Sequence, residues 1–444
     1  PYTTLFRSLA IVMSTAFAVS GCFCPIDKAF VNAETIQDED DSYYDDDSDY
    51  DDSTDDSYDD STDDSYDDST DDSDNEETTG TKIDDVKLSS SELQAFVKES
   101  DSDENGYISQ SEAEKITYVS ISKKASQSDL TQIIKLYPNI SELMWNAGTL
   151  TKLTFPKNNI KRLNITSKAA SQLVISGINQ KLNNLSYTAQ GSKKYAFNFA
   201  KGSAYKKVED FNLMGKQING VKLSNAEVGT LYVTDTSAKK IDASSDKIIN
   251  LWVQNNKKLS SFTVRNCSKL KSVSCAYNAL SRLNISGCPK LLSVSCDRNK
   301  LTKLDISKYK NLKSISCGQN KLKKFDISKN KKLISVYCND NKLTELNTSK
   351  NKKLSYFGCS NNKLNKLNVM PNKKLTTLSC YGNKFTKVNL KKNKELVSMA
   401  VSKTYKLMSS YIPTAFKSNT NYILTIFSNT ELCFFQCRCI FYKI

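Results

Sequence analysis

Histidine is absent from all 444 residues. Its absence removes the usual general base, the usual metal-binding imidazole and every nucleophile arrangement that depends on one. Carboxylate or lysine chemistry stays open in principle, so the gap weighs against an enzyme without closing the matter. Glycine is also scarce, at 14 residues, and none sits in a phosphate-cradling loop. Beyond Phe23 no run of 18 continuous apolar residues occurs, so none there has the length of a membrane-spanning helix. No LPxTG-type wall anchor is found. Acidic side chains are scarce outside one segment. Residues 38–77 hold 23 of the 49 Asp and Glu and no Lys or Arg, leaving 62 basic against 26 acidic groups elsewhere. That balance favours a polyanionic partner or the chain's own acidic segment, or describes a solvated lysine-rich surface.

The first eight residues, PYTTLFRS, are similar to a translated sequencing adapter and are expected to be an artefact (1–8). Residues 9–33 are read as an export signal, because Leu9 to Phe23 is an apolar run of signal-peptide length. Two exits compete. Val19-Ser20-Gly21-Cys22 resembles a lipobox, making Cys22 a lipidation candidate; Val31-Asn32-Ala33 resembles an ordinary cleavage site. Either would place the protein outside the cell, secreted or at the cell surface. Residues 34–82 form an Asp/Ser-rich linker with too little apolar surface to offset its ordering entropy, and are expected to be disordered.

Residues 101–112 read DSDENGYISQSE. Asp101, Asp103 and Asn105 stand at positions 1, 3 and 5, and Gly106 takes the sharp turn. Tyr107 would offer its carbonyl, Ser109 would ligate through water, and Glu112 would close the shell with two oxygens. Leu93, Phe96 and Val97 lie on one face of a helix ahead of the loop, with N-cap candidates at Ser89 to Ser91. The segment resembles an EF-hand, which implies a Ca2+ ion and a helical cap over 83–125. One such loop is visible, so the ion is expected to be structural, bound at about 10⁻⁴ to 10⁻³ M.

The remaining pattern is periodic. Cys275, Cys296, Cys317, Cys338, Cys359 and Cys380 stand 21 residues apart, as do Asn278, Asn299, Asn320, Asn341, Asn362 and Asn383, and Leu270 through Leu396. Alternate apolar residues such as Ile315 and Cys317 predict a short strand with one face inward, after which the Asn turns the chain. Leu322, Phe325 and Ile327 return along the opposite wall. A turn that cannot bury its own apolar side stacks on its neighbours. The unit resembles the leucine-rich repeat, which implies a solenoid with a parallel β-sheet and a concave strand face. Weaker turns begin at Ile140, Leu143 and Trp145, at Leu163 and Ile165, at Leu185 and Tyr187, at Leu231 and Val233, and at Leu251 and Val253. Roughly twelve or thirteen turns are expected over 126–410, with 190–221 read as an insertion and 411–444 as an irregular tail, whose end is a real terminal strand or an out-of-frame read. The ladder cysteines are expected to be core filler, with Cys267 and Cys288 more exposed.

On the concave face the outward positions are mostly Ser. The expected ligand contacts are Tyr277, Arg298, Tyr337, Asp340, Tyr356 and Tyr381, because Tyr and Arg dominate binding hot spots. The chain from 83 to 400 resembles calcium-loop-plus-repeat proteins of Gram-positive gut bacteria. The resemblance implies a non-enzymatic surface protein, monomeric, binding a protein or host ligand. The second reading is an envelope scaffold holding an anionic wall polymer on a lysine rim. Nucleic acid is not expected, and membrane contact only through a lipid anchor.

Overall fold

A computed structural model describes residues 80–402, apart from 224–225, together with the backbone of 423–427. The adapter-like start, the export signal with Cys22, nearly all of the acidic linker and most of the tail lie outside the described residues.

The chain is a leucine-rich-repeat solenoid. One wall is a 15-stranded sheet in which every pairing is parallel, from Tyr118–Ser120 through Thr377–Ser379 and Ser398–Ser402 to Ile423–Phe427. In the regular turns only three residues pair per strand, as in Ser314–Ser316 against Ser335–Tyr337. The register sets Val273, Val294, Ile315, Val336, Phe357, Leu378 and Met399 in one inward column, each at most 3% exposed. Burying one such side chain is worth about 1.5–3 kcal/mol, so each turn depends on its neighbours.

Three strands of this sheet lie outside the turns that the sequence offsets placed. Tyr118–Ser120 opens the sheet ahead of residue 126, within the stretch read as cap, and Ile423–Phe427 extends it within the stretch read as irregular tail. The third corrects the insertion at 190–221. Lys207–Met214 pairs with Leu182–Ala189 on one side and Glu227–Thr234 on the other, so the stretch is a full turn. Its partners Leu185 and Phe211 stand 26 residues apart against 20 for Phe211 and Leu231, which broke the period. The longer arm is filled by rings: Phe197 contacts Tyr187, Phe199, Tyr205 and Phe211 at centroid distances of 5.1–5.7 Å.

The asparagines close the backbone accounts. Asn320 Nδ2 donates to the carbonyls of Cys296, Cys317 and Gly318, and its Oδ1 accepts from Leu301 N–H at 3.0 Å. A second column on the opposite wall, Asn330, Asn351, Asn372 and Asn393, is fully buried. Asn351 Nδ2 reaches back to the Ile327 and Asn330 carbonyls at 3.0 and 2.9 Å. The eight described cysteines are free and buried, including Cys267 and Cys288, at 0% and 4% exposure; the expectation that these two are more open is corrected. They occupy the inward slot that later turns give to Tyr309 and then Asn330.

Three helices lie near the solenoid start: α1 (Ser91–Glu99), α2 (Gln110–Lys115) and α3 (Gln127–Leu136). Ser90 caps α1, and Ser126 with Asp129 forms a capping box on α3. Asp129 also takes Ser89 N–H and Ser89 Oγ at 2.6 Å each, tying the approach to α1 onto α3.

Candidate functional site

The loop between α1 and α2 makes the turn its sequence implies. Gly106 takes φ 83° and Glu104 φ 59°, and Tyr107–Ser109 pairs antiparallel with Gly80–Lys82, setting Thr81 opposite Ile108. Carboxylate oxygens of Asp101, Asp103 and Glu112 all lie within 4.8 Å of one another. Gly106 N–H orients Asp101 Oδ2 at 2.9 Å. Glu112 Oε1 accepts from Ser102 N–H and Oγ at 2.6 and 2.7 Å, and Oε2 from Ser109 N–H and Oγ at 3.0 and 2.8 Å. The Ser102 hydroxyl, then the Ser109 and Ser102 amides, pull its carboxyl down to about 2. Asn105 N–H lowers Asp103, yet the adjoining Asp101 side chain and burial outweigh it and leave it raised.

Three of the six expected ligands therefore converge. Asn105 Oδ1 instead accepts Tyr107 N–H at 2.8 Å, and Ser109 Oγ caps α2. Three hard carboxylate donors around one point, on a loop with its own turn glycine, fit a calcium ion in chemistry; Asn105 and Ser109 would have to turn toward it.

On the strand face the six expected contacts separate into two groups. Tyr277, Arg298 and Asp340 lie on the turn where each strand ends, not on the strand, at φ 59°, 51° and 55°. Gln319, Asn361 and Gly382 continue that left-handed column. The conformation lets each N–H reach the next turn, as Tyr277 N–H does to Asp297 O at 3.0 Å and Arg298 N–H to Gly318 O at 3.0 Å. Tyr277 is 43% exposed and the Arg298 guanidinium stacks over its ring at 4.7 Å, a cation–π contact. Tyr356, in the strand Tyr356–Gly358, is 36% exposed. Tyr337 is only 7% exposed, because its ring lies beside Gly358 of the next turn, where a Cβ would stand 3.1 Å from it; it is not a free anchor. Tyr381 is half-buried beside the same turn.

Two outward features were missed. Tyr232 and Trp252 stack across adjacent strands, ring planes 10° apart and centroids at 6.1 Å. The signal was present: Leu231-Tyr232-Val233 and Leu251-Trp252-Val253 alternate, which aims the middle ring outward. Asp297 is the other. Burial pushes its carboxyl up, against donors Ser316 Oγ at 2.6 Å, Ser295 Oγ at 2.8 Å and Gly318 N–H at 2.6 Å. Away from this face, a cleft of about 880 Å³ holds Asp242 and Asp246, whose carboxylates pair with Arg265 at 3.7 Å and Lys247 at 3.2 Å.

No family model and no curated protein matches the chain. Among solved structures it is similar to the functional domain of InlJ from Listeria monocytogenes, which includes a cysteine ladder. Identity is 25%, the match covers 48% of this chain and 49% of that one, and the TM-score is 0.34. The chain thus spans about half the length of that domain. It is also similar to the internalin inlF from Listeria monocytogenes, at 14% identity over 80% of this chain and 99% of that one, TM-score 0.43. YopM, a leucine-rich effector protein of Yersinia pestis, matches at 18% identity over 59% and 77%, TM-score 0.37.

Proposed function

We propose that the chain is a non-enzymatic, exported or cell-surface binding protein that offers its strand face to a protein or host ligand. One observation carries this: two stacked pairs stand along the long sheet, Tyr232 with Trp252 on its outward face and Tyr277 with Arg298 on the turns that end its strands. Rigid aromatic and Arg groups on a flat, small-residue surface are what interface hot spots need. The calcium ion would be structural, held by Asp101, Asp103 and Glu112 with Asn105, Tyr107 and Ser109 completing the shell. A second reading, a scaffold for an anionic wall polymer, is favoured by charge: residues 266–402 carry 29 Lys and Arg against 6 Asp and Glu.

Two measurements test the first reading. A protein partner captured by the full chain should lose at least tenfold in affinity when Trp252 and Tyr277 become Ala, about 1.4 kcal/mol or more. Undiminished capture would refute the strand-face assignment. Calcium should raise the melting temperature of the chain, and the pair Asp101→Ala with Glu112→Ala should abolish that rise; a rise kept by the pair would dismiss the ion site.

A further inference from the structure

Lysine columns line both ends of the strands in the regular turns: Lys300, Lys321, Lys342, Lys363 and Lys384 follow them, and a denser set precedes them. Lys310, Lys331, Lys352, Lys373 and Lys394 recur at the 21-residue step on the turn that enters each strand. Lys308, Lys329, Lys350 and Lys392 lie two residues before this column, and Lys332, Lys353 and Lys374 one residue after it. All twelve are exposed. Over these five turns the same positions carry one carboxylate, Glu395. Among the described residues, none of the twelve is in an ion pair.

Their alignment is held from inside. Asn330, Asn351, Asn372 and Asn393 stand within the same turns, and each donates its side-chain N–H groups to carbonyls of the preceding turn at 2.7–3.0 Å, or 3.1 Å for Asn372 to Thr348. The loops therefore stack at the spacing of the sheet, about 4.8 Å per turn. Two unit charges in water repel by one RT at roughly 7 Å. Five lysines at about 4.8 Å lie inside that distance along one column, and twelve share about 19 Å of edge. Such a row holds counter-ions closely, and their release drives association with a chain of opposite charge.

The residue types narrow the partner. The edge is built of Lys, a point charge, and contains no Arg, so it offers no bidentate fork for base edges or planar carboxylates. Its one aromatic, Tyr309, is buried, with its hydroxyl donated to Ile285 O at 2.7 Å, so no ring is free to stack on a base. Resting on the second reading of function and deepening it, we infer that this edge is a rail for a flexible, base-free polyphosphate or poly(phosphodiester) chain, separate from the strand face.

The test uses the full chain and fluorescently labelled long-chain inorganic polyphosphate, with anisotropy read across a NaCl series. Lys310→Gln, Lys331→Gln, Lys352→Gln and Lys373→Gln together should reduce the slope of log K against log salt by about 3 and weaken binding more than tenfold. Lys152→Gln, Lys168→Gln, Lys216→Gln and Lys240→Gln, four exposed lysines of earlier turns, should change the slope by less than about 1. Matching melting temperatures show that both variants fold. Equal losses in the two variants would leave polymer binding standing and overturn the rail. Single-stranded DNA binding as tightly as polyphosphate would overturn the base-free assignment. No binding by the unaltered chain would sink the second reading with the rail.

Discussion

Removing one amide from each asparagine column should cost different amounts, and the structure says which costs more. Asn320→Ala leaves the buried Leu301 N–H without its acceptor, while the Cys296, Cys317 and Gly318 carbonyls each lose one of two donors and keep Asn299 Nδ2, Asn341 Nδ2 and Arg298 N–H. A buried polar group left unpaired costs about 1–3 kcal/mol and a lost hydrogen bond about 0.5–1.5 kcal/mol, so one orphaned N–H and three weakened carbonyls give about 3–6 kcal/mol. Asn351→Ala orphans nothing: the Ile327 and Asn330 carbonyls lose one donor each and keep Asn330 N–H and Leu333 N–H, and the Asn351 Oδ1 is buried without a partner already. Two lost hydrogen bonds, offset by removal of one orphaned oxygen, give about 1–3 kcal/mol. Turns in a solenoid are coupled mainly to their neighbours, so both losses appear in the unfolding of the regular repeats. Urea denaturation of the two variants at matched slope reads the difference. Asn320→Ala should fall below Asn351→Ala by at least about 1.5 kcal/mol. Equal losses, or the reverse order, would refute the reasoning that hydrogen-bond accounting, and not side-chain volume, holds these columns.

Two further predictions concern titration. Burial, helped by the neighbouring Cys338 and Asp297, holds the Cys317 thiol well above the ordinary thiol range, whereas the Cys288 thiol beside Cys267 pulls that one down to about 7. Cys267 is 0% exposed, so its modification waits on local opening; among the eight described cysteines a thiol reagent at pH 8, read by mass spectrometry, should then reach Cys267 before the six-membered ladder, and comparable rates at Cys317 would contradict the assignment. Burial pushes Asp129 up, but the Ser89 hydroxyl and the Ser126 and Ser89 amides outweigh it and hold the carboxyl below its usual value. A depressed carboxyl contributes stability that is present above its unfolded pKa, about 3.9, and is lost as pH falls through the folded value. Melting temperature should therefore drop below about pH 4, and Asp129→Asn should flatten that drop; an unchanged acid slope would remove Asp129 from the account.

The period made the core readable. An inward side chain meets its copy on the next turn, so Val294, Ile315 and Val336 must agree in size, and their agreement shows in the sequence. The same logic fails where one turn is longer. Phe197, Phe199, Tyr205 and Phe211 fill a 26-residue turn whose rings replace the small Leu and Val columns, and nothing in the 21-residue step announces it. The short strand Tyr118–Ser120 offers one buried residue, Val119, too little periodicity to separate it from the helical cap before it.

Outward residues are harder to read for the same physical reason. Their packing does not force agreement between turns, so position along the turn decides their role, and that position depends on backbone conformation. Tyr277, Arg298 and Asp340 were singled out by residue type, but the left-handed φ that lifts them off the strand follows from the hydrogen bond each N–H must make to the next turn. Tyr337 shares the type and not the conformation: it stays within the strand, and its ring is buried. The period marks only Leu251 and Val253 on either side of Trp252, although their inward direction fixes its outward one. Chemistry on this surface is therefore set by register first and residue type second. Lysines repeating at one register accordingly carry more meaning than tyrosines scattered over several.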